Sequence, residues 1–190
     1  MDLNDLLEPV RQSTIDRLAL AIHEAKTAGG ESFVSEPVLR EGDRTPVPHG
    51  RLAQPARHDL PTGNIPGEIA LPAFAPVGIE WPGGLAVVLR PFRWDALRVH
   101  FPEGNPSGDW EPLLGWFEEW FKAEEDGVGD LLLVVHSVSD PVDDGDGQTL
   151  TIDLGSAPVV AIEDLFDALA GLDVSRVEIG VPDLLLRDEG

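Results

Sequence analysis

The chain has 190 residues, of which 35 are Asp or Glu and 13 are Lys or Arg, so its formal net charge at pH 7 is −22. A surface this acidic repels phosphate backbones and anionic lipid headgroups over roughly 8 Å, the Debye length at physiological salt. The composition therefore argues against nucleic-acid and membrane-surface partners. The chain contains no cysteine, which excludes disulfides, thiolate metal ligands and cysteine nucleophiles.

The remaining composition is typical of a soluble globular protein, with 42% hydrophobic residues and a mean hydropathy of −0.05. The first seven residues include two aspartates and no Lys or Arg, unlike the basic start of a secretory signal. No apolar run approaches the 18 residues of a transmembrane helix. We therefore expect a cytoplasmic protein.

The first predicted element is an amphipathic helix within residues 1–30. Apolar residues recur there at three- and four-residue steps, the period of one helix face. Pro9 is suited to the first turn of a helix, and Gly29-Gly30 supplies a stop. The pattern predicts a helix from Pro9 to about Ala28.

Residues 31–82 differ sharply from this start, because they hold nine of the 17 prolines. Proline lacks the amide that a helix or a strand ladder needs, so long regular elements are excluded there. We expect short edge strands near 33–39 and 69–79. The rest is predicted to be an extended arm that lies over the core or over a partner.

Residues 83–190 carry the pattern of a single folded core. Alternating or continuous apolar runs predict strands, and three- and four-residue spacing predicts helices, in the order ββαββαβ. The predicted strands are 85–90, 96–101, 131–139, 149–154 and 176–181, and the predicted helices are 109–123 and 158–170. The fold class is therefore α+β, with an antiparallel or mixed sheet of about five strands and both helices on one face.

The helix over 109–123 contains three of the five tryptophans. Its apolar side chains cover about 160° of the helix surface, with Trp116 and Trp120 at one margin and Glu118 and Glu119 on the opposite side. One interpretation places all the aromatic side chains in the core. The other is that the Trp margin, with the neighbouring glutamates, anchors a partner protein, since aromatic residues are frequent interface anchors.

A second candidate surface is the sheet face that points away from the two helices. A solvated face with cross-strand charge pairs is one explanation for its polar side chains. The alternatives are a face covered by the N-terminal helix and arm, a homodimer interface, or a small-molecule or hydrolytic site. The residues placed on this face are Arg98, His100, Thr151, Asp153, Arg176 and Glu178.

No metal site or cofactor is predicted. Residues 143–147 are rich in Asp and Gly, as in a calcium loop, but the first ligand position would be Val142 and the twelfth would be Asp153 in place of a bidentate Glu. An Asp/Gly-rich hairpin turn explains the same residues. His136 and Ser137 are adjacent on a predicted strand, so their side chains point to opposite faces and cannot form a catalytic pair.

These patterns support two functional hypotheses. The order of elements resembles the layout of bacterial secretion chaperones, which hold a segment of an effector protein. The first hypothesis is therefore a non-enzymatic module, a chaperone, adaptor or inhibitor, that binds a basic protein segment. The second is a small-molecule-binding or hydrolytic domain that uses Arg98, His100 and Asp153.

The distribution of charge bears on the first hypothesis. Residues 109–146 hold 12 acidic residues and one base, Lys122, and so carry −11 of the total −22. General adaptation to high salt, a third explanation of the acidity, would spread the charge more widely. The concentration favours an acidic surface near the aromatic helix.

Overall fold

The computed structural model describes residues 2–29, 74–105, 108–122 and 131–181. The predicted strand at 33–39 and most of the proline-rich arm lie outside these ranges. Three helices and seven strands are described: α1 (Leu3–Gly29), β1 (Val77–Trp81), β2 (Leu85–Leu89), β3 (Leu97–Phe101), α2 (Glu111–Trp120), β4 (Ser137–Val138), β5 (Val142–Asp143), β6 (Gln148–Asp153), α3 (Val160–Ala170) and β7 (Arg176–Gly180). None of the helices in these ranges has both the length and the apolarity to cross a membrane.

The strands form one mixed sheet in the order β1-β2-β7-β3-β6-β4, with β5 also paired to β6. The β2–β7 pair is parallel and every other pair is antiparallel. The predicted α+β class and mixed sheet are confirmed. The sheet exceeds the predicted five strands because β1 is added at one edge and the short β5 pairs with β6.

The core lies between the sheet and the helix pair α2–α3. Along β2 and β3, buried residues alternate with partly exposed ones, so each strand presents one apolar face. The two helices bury their own apolar residues in the same cluster as these strands. Phe101 at the end of β3 packs edge-to-face against Trp110, which precedes α2, with ring centroids 5.5 Å apart.

The two covering helices run antiparallel. The Trp116 indole N–H in α2 donates to the carbonyl oxygen of Ala161 in the first turn of α3, at 2.9 Å. At the other end of the pair, a Cβ added to Gly171 after α3 would lie 3.1 Å from the Cβ of Pro112 in the first turn of α2. The start of each helix therefore lies beside the end of the other.

The N-terminal helix begins earlier than predicted. It starts at Leu3 and carries Pro9 in its interior, so the prediction that Pro9 opens the helix is wrong. The Asp2 carboxylate accepts a hydrogen bond from the Asn4 amide at 2.9 Å, as an N-cap residue does. Leu7 is fully buried in the main core, and this packing offsets the helix hydrogen bond that Pro9 removes.

Helix α1 is anchored to the segment that leads from β6 into α3. The Arg11 guanidinium donates to the carbonyl oxygens of Ala157 at 2.8 Å and Ser156 at 3.2 Å. Further along α1, a small apolar cluster joins the helix to Leu131, and its helix members are Ile15, Leu18 and Ile22.

The strand predicted over 131–139 is largely absent. Only Ser137–Val138 pairs with β6 as a strand, and Leu133 has a φ of +59°, a value that breaks extended backbone. His136 is buried and Ser137 is exposed, as expected for neighbours on opposite faces.

Candidate functional site

The charged residues on the surface of α2 and α3 are all acidic. Each helix carries three carboxylates and no basic residue. Among the described residues, no basic side chain lies within ion-pair distance of these carboxylates. We call them the helix-layer carboxylates: Glu111, Glu118, Glu119, Glu163, Asp164 and Asp167. Unpaired charges of one sign on adjacent helices add to a local negative potential.

Two partly buried tryptophans flank α3 and bind its carboxylates. The Trp120 indole N–H, from α2, donates to Asp164 at 3.2 Å. The Trp81 indole N–H, from the end of β1, donates to Asp167 at 2.7 Å, and its ring packs edge-to-face on Phe166 at 5.1 Å between centroids. The two indoles fix the positions of these carboxylates and place an aromatic ring on each side of α3.

The predicted partner-binding residues fall into two groups. Trp116 is only 4% exposed and bonds to α3, so it belongs to the α2–α3 contact and offers almost no surface to a partner. Trp120 and Glu118 are partly exposed and Glu119 is exposed. Partner binding at this margin stays a prediction, and its aromatic component rests on Trp120.

On the opposite face of the sheet, four polar side chains form a connected network. Thr149 Oγ1 donates to Asp144 Oδ2 at 2.7 Å. The Arg98 guanidinium donates to the same carboxylate oxygen at 2.9 Å and to Thr149 Oγ1 at 3.1 Å. His100 Nδ1 lies 3.1 Å from Thr149 Oγ1 and 3.6 Å from Asp144 Oδ2. The network ties β3 to β6 and to the turn between β5 and β6.

The proton positions in this network follow from counting donors. The Thr149 hydroxyl has one hydrogen, and it is used toward Asp144, so His100 Nδ1 must carry the proton in its contact with Thr149. The Thr149 hydrogen bond, the Asp146 backbone amide and the charges of His100 and Arg98 lower the pKa of Asp144, against an opposing contribution from burial. The carboxylate is therefore ionised at neutral pH.

The remaining outer-face residues do not join this network. Asp153 lies beside the buried His136, with Oδ2 and Nδ1 3.5 Å apart. Arg176 pairs with Glu178 two residues away on β7, and Thr151 lies exposed opposite Arg98 in the register of β3 and β6. The structure thus does not bring Arg98, His100 and Asp153 together as one convergent pocket.

A shallow polar cleft of about 450 Å³ lies between the loop after β3 and the β5–β6 turn. Its acidic members are Glu103, Asp143 and Asp146. The Asp143 carboxylate accepts the Gly145 amide at 2.9 Å, a turn contact that fits the predicted hairpin. Within the described ranges, no three His, Cys, Asp or Glu side chains are grouped as a metal site requires.

Replacing Asp144 by Asn tests the network. We expect the free energy of unfolding to fall by about 1 kcal/mol at pH 7, the scale of a partly exposed charge-assisted contact. Folding lowers the pKa of Asp144 from 3.8. The ionised carboxylate therefore contributes fully to the free energy of unfolding above pH 3.8. The contribution is lost as the pH falls through the lowered pKa of the folded state.

The measurement is urea unfolding of the wild type and the variant between pH 7 and pH 3. The difference between the two proteins should shrink steadily once the pH drops below the ordinary pKa of an aspartate. A difference that stays constant with pH would show that the ionised state of Asp144 contributes nothing.

Together, the fold and these surfaces define an acidic α+β domain with a carboxylate-covered helix layer. Comparison with known proteins adds no relative: the chain matches no protein-family model, no curated protein and no solved structure. The function is therefore inferred from the side chains themselves.

Sequence reasoning missed three residues of this site: Asp164 and Asp167 on α3, and Trp81 on β1. Asp164 and Asp167 lie on the face of α3 away from its buried residues, and a helical projection of 160–170 would have placed them there. Trp81 is the last residue of β1, and nothing in its sequence neighbourhood indicates a role at this surface. Its contact with Asp167 joins residues 86 positions apart. A local sequence pattern cannot indicate a contact between residues so far apart in the chain.

Proposed function

We propose that the protein is a non-enzymatic interaction module that binds a basic segment of another protein over its helix layer. The observation that carries the proposal is the set of six helix-layer carboxylates with no basic residue in either helix. Charges of one sign on one surface attract a segment of the opposite sign and speed its association.

The aromatic rings beside α3 add a contact suited to the same partner. An Arg or Lys side chain over the face of a tryptophan is worth about 0.5–1 kcal/mol at an exposed site, and Trp120 is partly exposed. Each exposed ion pair contributes only about 0.2–1 kcal/mol. We therefore expect a dissociation constant of roughly 0.1–1 mM at low salt, and it should rise steeply with salt.

The test is calorimetric titration with a ten-residue peptide of alternating Arg and Gly, a basic probe with little structure of its own. Replacing Glu118 and Glu119 by Gln should weaken binding by about fivefold, as expected for two lost exposed ion pairs. The matched control is the double replacement by Asn of Asp143, at the end of β5, and Asp146, in the β5–β6 turn, which changes the net charge equally. The control should shift the dissociation constant by less than twofold.

Equal weakening in both double variants would contradict the proposal, because the peptide would then respond to net charge and not to the helix layer. Absence of binding to the wild type at low salt would contradict it as well. Backbone amide shifts in α2 and α3 on titration should identify the contacted surface independently.

A further inference from the structure

Strand β1 forms one edge of the described sheet, and its backbone orientation follows from its neighbour. In β2 and just after it, the amides of Ala86 and Arg90 donate to Ser175 and Ile179, on the β7 side, at 2.9 and 2.8 Å. Successive backbone amides of a strand point in opposite directions. The odd-numbered residues of β2 therefore bond to β1, through its own odd-numbered residues.

It follows that Gly78 and Glu80 direct their N–H and C=O groups away from the sheet. Within the described ranges, no other strand pairs with this edge. Both residues are exposed, and a Cβ added to Gly78 would meet no atom within 4 Å. Pro76 and Pro82 bracket the strand and lack amide hydrogens, which limits the open edge to a short stretch.

The two faces of β1 carry different kinds of side chain. The odd-numbered residues Val77, Ile79 and Trp81 are partly exposed and share the face of the apolar core residues of β2. Glu80 lies on the other face and is exposed. Natural edge strands are commonly protected from pairing by a lysine, a bulge or an internal proline. β1 (VGIEW) contains no lysine and no proline, and its single charge is negative.

We propose that a protein segment of alternating aliphatic and basic residues binds as an additional strand on β1, with aliphatic side chains beside Ile79 and basic side chains on the face of Glu80. This surface is separate from the helix layer, because Glu80 lies on the sheet face opposite α2 and α3. Backbone pairing supplies the affinity in this mode of recognition, and alternate side chains supply the specificity. The negative charge of Glu80 selects an alternation of aliphatic and basic residues over an acidic strand.

The experiment uses an eight-residue peptide of alternating Lys and Val, acetylated and amidated at its ends, with the full-length protein. Amide hydrogen exchange measured by NMR should show at least tenfold slower exchange at Gly78 and Glu80 when the peptide is bound. The same peptide N-methylated at every residue cannot donate a hydrogen bond to β1 from either edge, and it should bind at least tenfold more weakly.

A proline at position 80 provides the matching change in the protein. Because the Glu80 amide points outward, Glu80→Pro removes no hydrogen bond to β2, and binding should weaken at least tenfold with the thermal unfolding midpoint nearly unchanged. Glu80→Gln keeps the amide and removes only the charge, so we expect a two- to threefold loss.

Three results would overturn the inference. One is unchanged exchange at Gly78 and Glu80 in the bound state, and another is equal binding of the N-methylated peptide. The third is a concentration-dependent dimer in sedimentation that Glu80→Pro abolishes, since the edge would then pair with a second copy of the chain. If the Arg-Gly peptide still binds the helix layer in any of these cases, the proposed function stands and only the strand pairing fails.

Discussion

Replacing Trp116 by alanine is expected to lower the free energy of unfolding by about 3–5 kcal/mol, the range for truncating a buried tryptophan. The side chain is buried between α2 and α3 and donates its indole hydrogen to Ala161. Truncation therefore leaves a cavity and removes the hydrogen bond to the Ala161 carbonyl oxygen. A loss of this size is a large part of the total free energy of unfolding of a typical domain, which is about 5–15 kcal/mol.

The control for this substitution is Trp120→Ala, and the two losses of stability are compared. Trp120 is partly exposed and bonds to a side chain at the surface, so we expect a cost of about 1 kcal/mol. Urea unfolding followed by far-ultraviolet circular dichroism measures both. If Trp116→Ala cost less than Trp120→Ala and weakened binding of the Arg-Gly peptide more, Trp116 would be an interface residue and its core assignment would be wrong.

The second large effect is expected at Gly155, between β6 and α3. Gly155 has a φ of +52°, and a Cβ there would lie 2.5 Å from both the Val134 carbonyl oxygen and His136 Nε2. A left-handed conformation costs a non-glycine residue about 1–2 kcal/mol, and forced overpacking costs about 1–3 kcal/mol more. Gly155→Ala should therefore destabilise the protein by roughly 2–5 kcal/mol.

Gly145 in the β5–β6 turn is the natural control for this substitution. It also has a positive φ, +90°, but an added Cβ would meet nothing within 4 Å. Gly145→Ala should cost only the conformational part, about 1–2 kcal/mol, in the same urea experiment. Equal costs at the two glycines would show that the packing of Gly155 against His136 contributes nothing.

The long strands could be predicted because their signal is local. β2, β3, β6 and β7 each alternate or run apolar over five or six residues, and every predicted boundary falls within about one residue of the observed one. Strand β1 was predicted as an edge strand near 69–79, and it forms at the end of that range, extending to Trp81. When one face of a strand is buried against helices, apolar and polar residues alternate along the strand, and this alternation is visible in the sequence.

The misplaced elements depend on contacts distant in sequence. Local propensity assigns Pro9 to a first turn, yet Leu7 packs into the core before it and extends the helix backwards. The apolar run from Leu131 predicts a strand, but Leu131 joins the α1 cluster, Leu133 has a left-handed backbone, and only a two-residue strand follows. Tertiary packing overrides propensity in both segments.

The candidate surfaces were predictable only in part, for the same reason. The alternation of β3 placed Arg98 and His100 on the outer face without any knowledge of the fold. Their partner Asp144 lies in a turn 46 residues after Arg98, and only the register of β3 with β6 brings it there. Binding of a protein partner stays a prediction, since the sequence indicates the charge of a surface but not which molecule binds to it.

The position of β7 in the sheet has a consequence for biosynthesis. Although it is the last described strand along the chain, β7 lies between β2 and β3. A nascent polypeptide that stops before residue 176 would hold two separate half-sheets, each with a long apolar strand unpaired along one edge. Such edges recruit other chains, and closing them late in synthesis makes folding slow and dependent on distant contacts. We therefore expect C-terminal truncation, more than loss of α1, to convert the protein into an aggregating species.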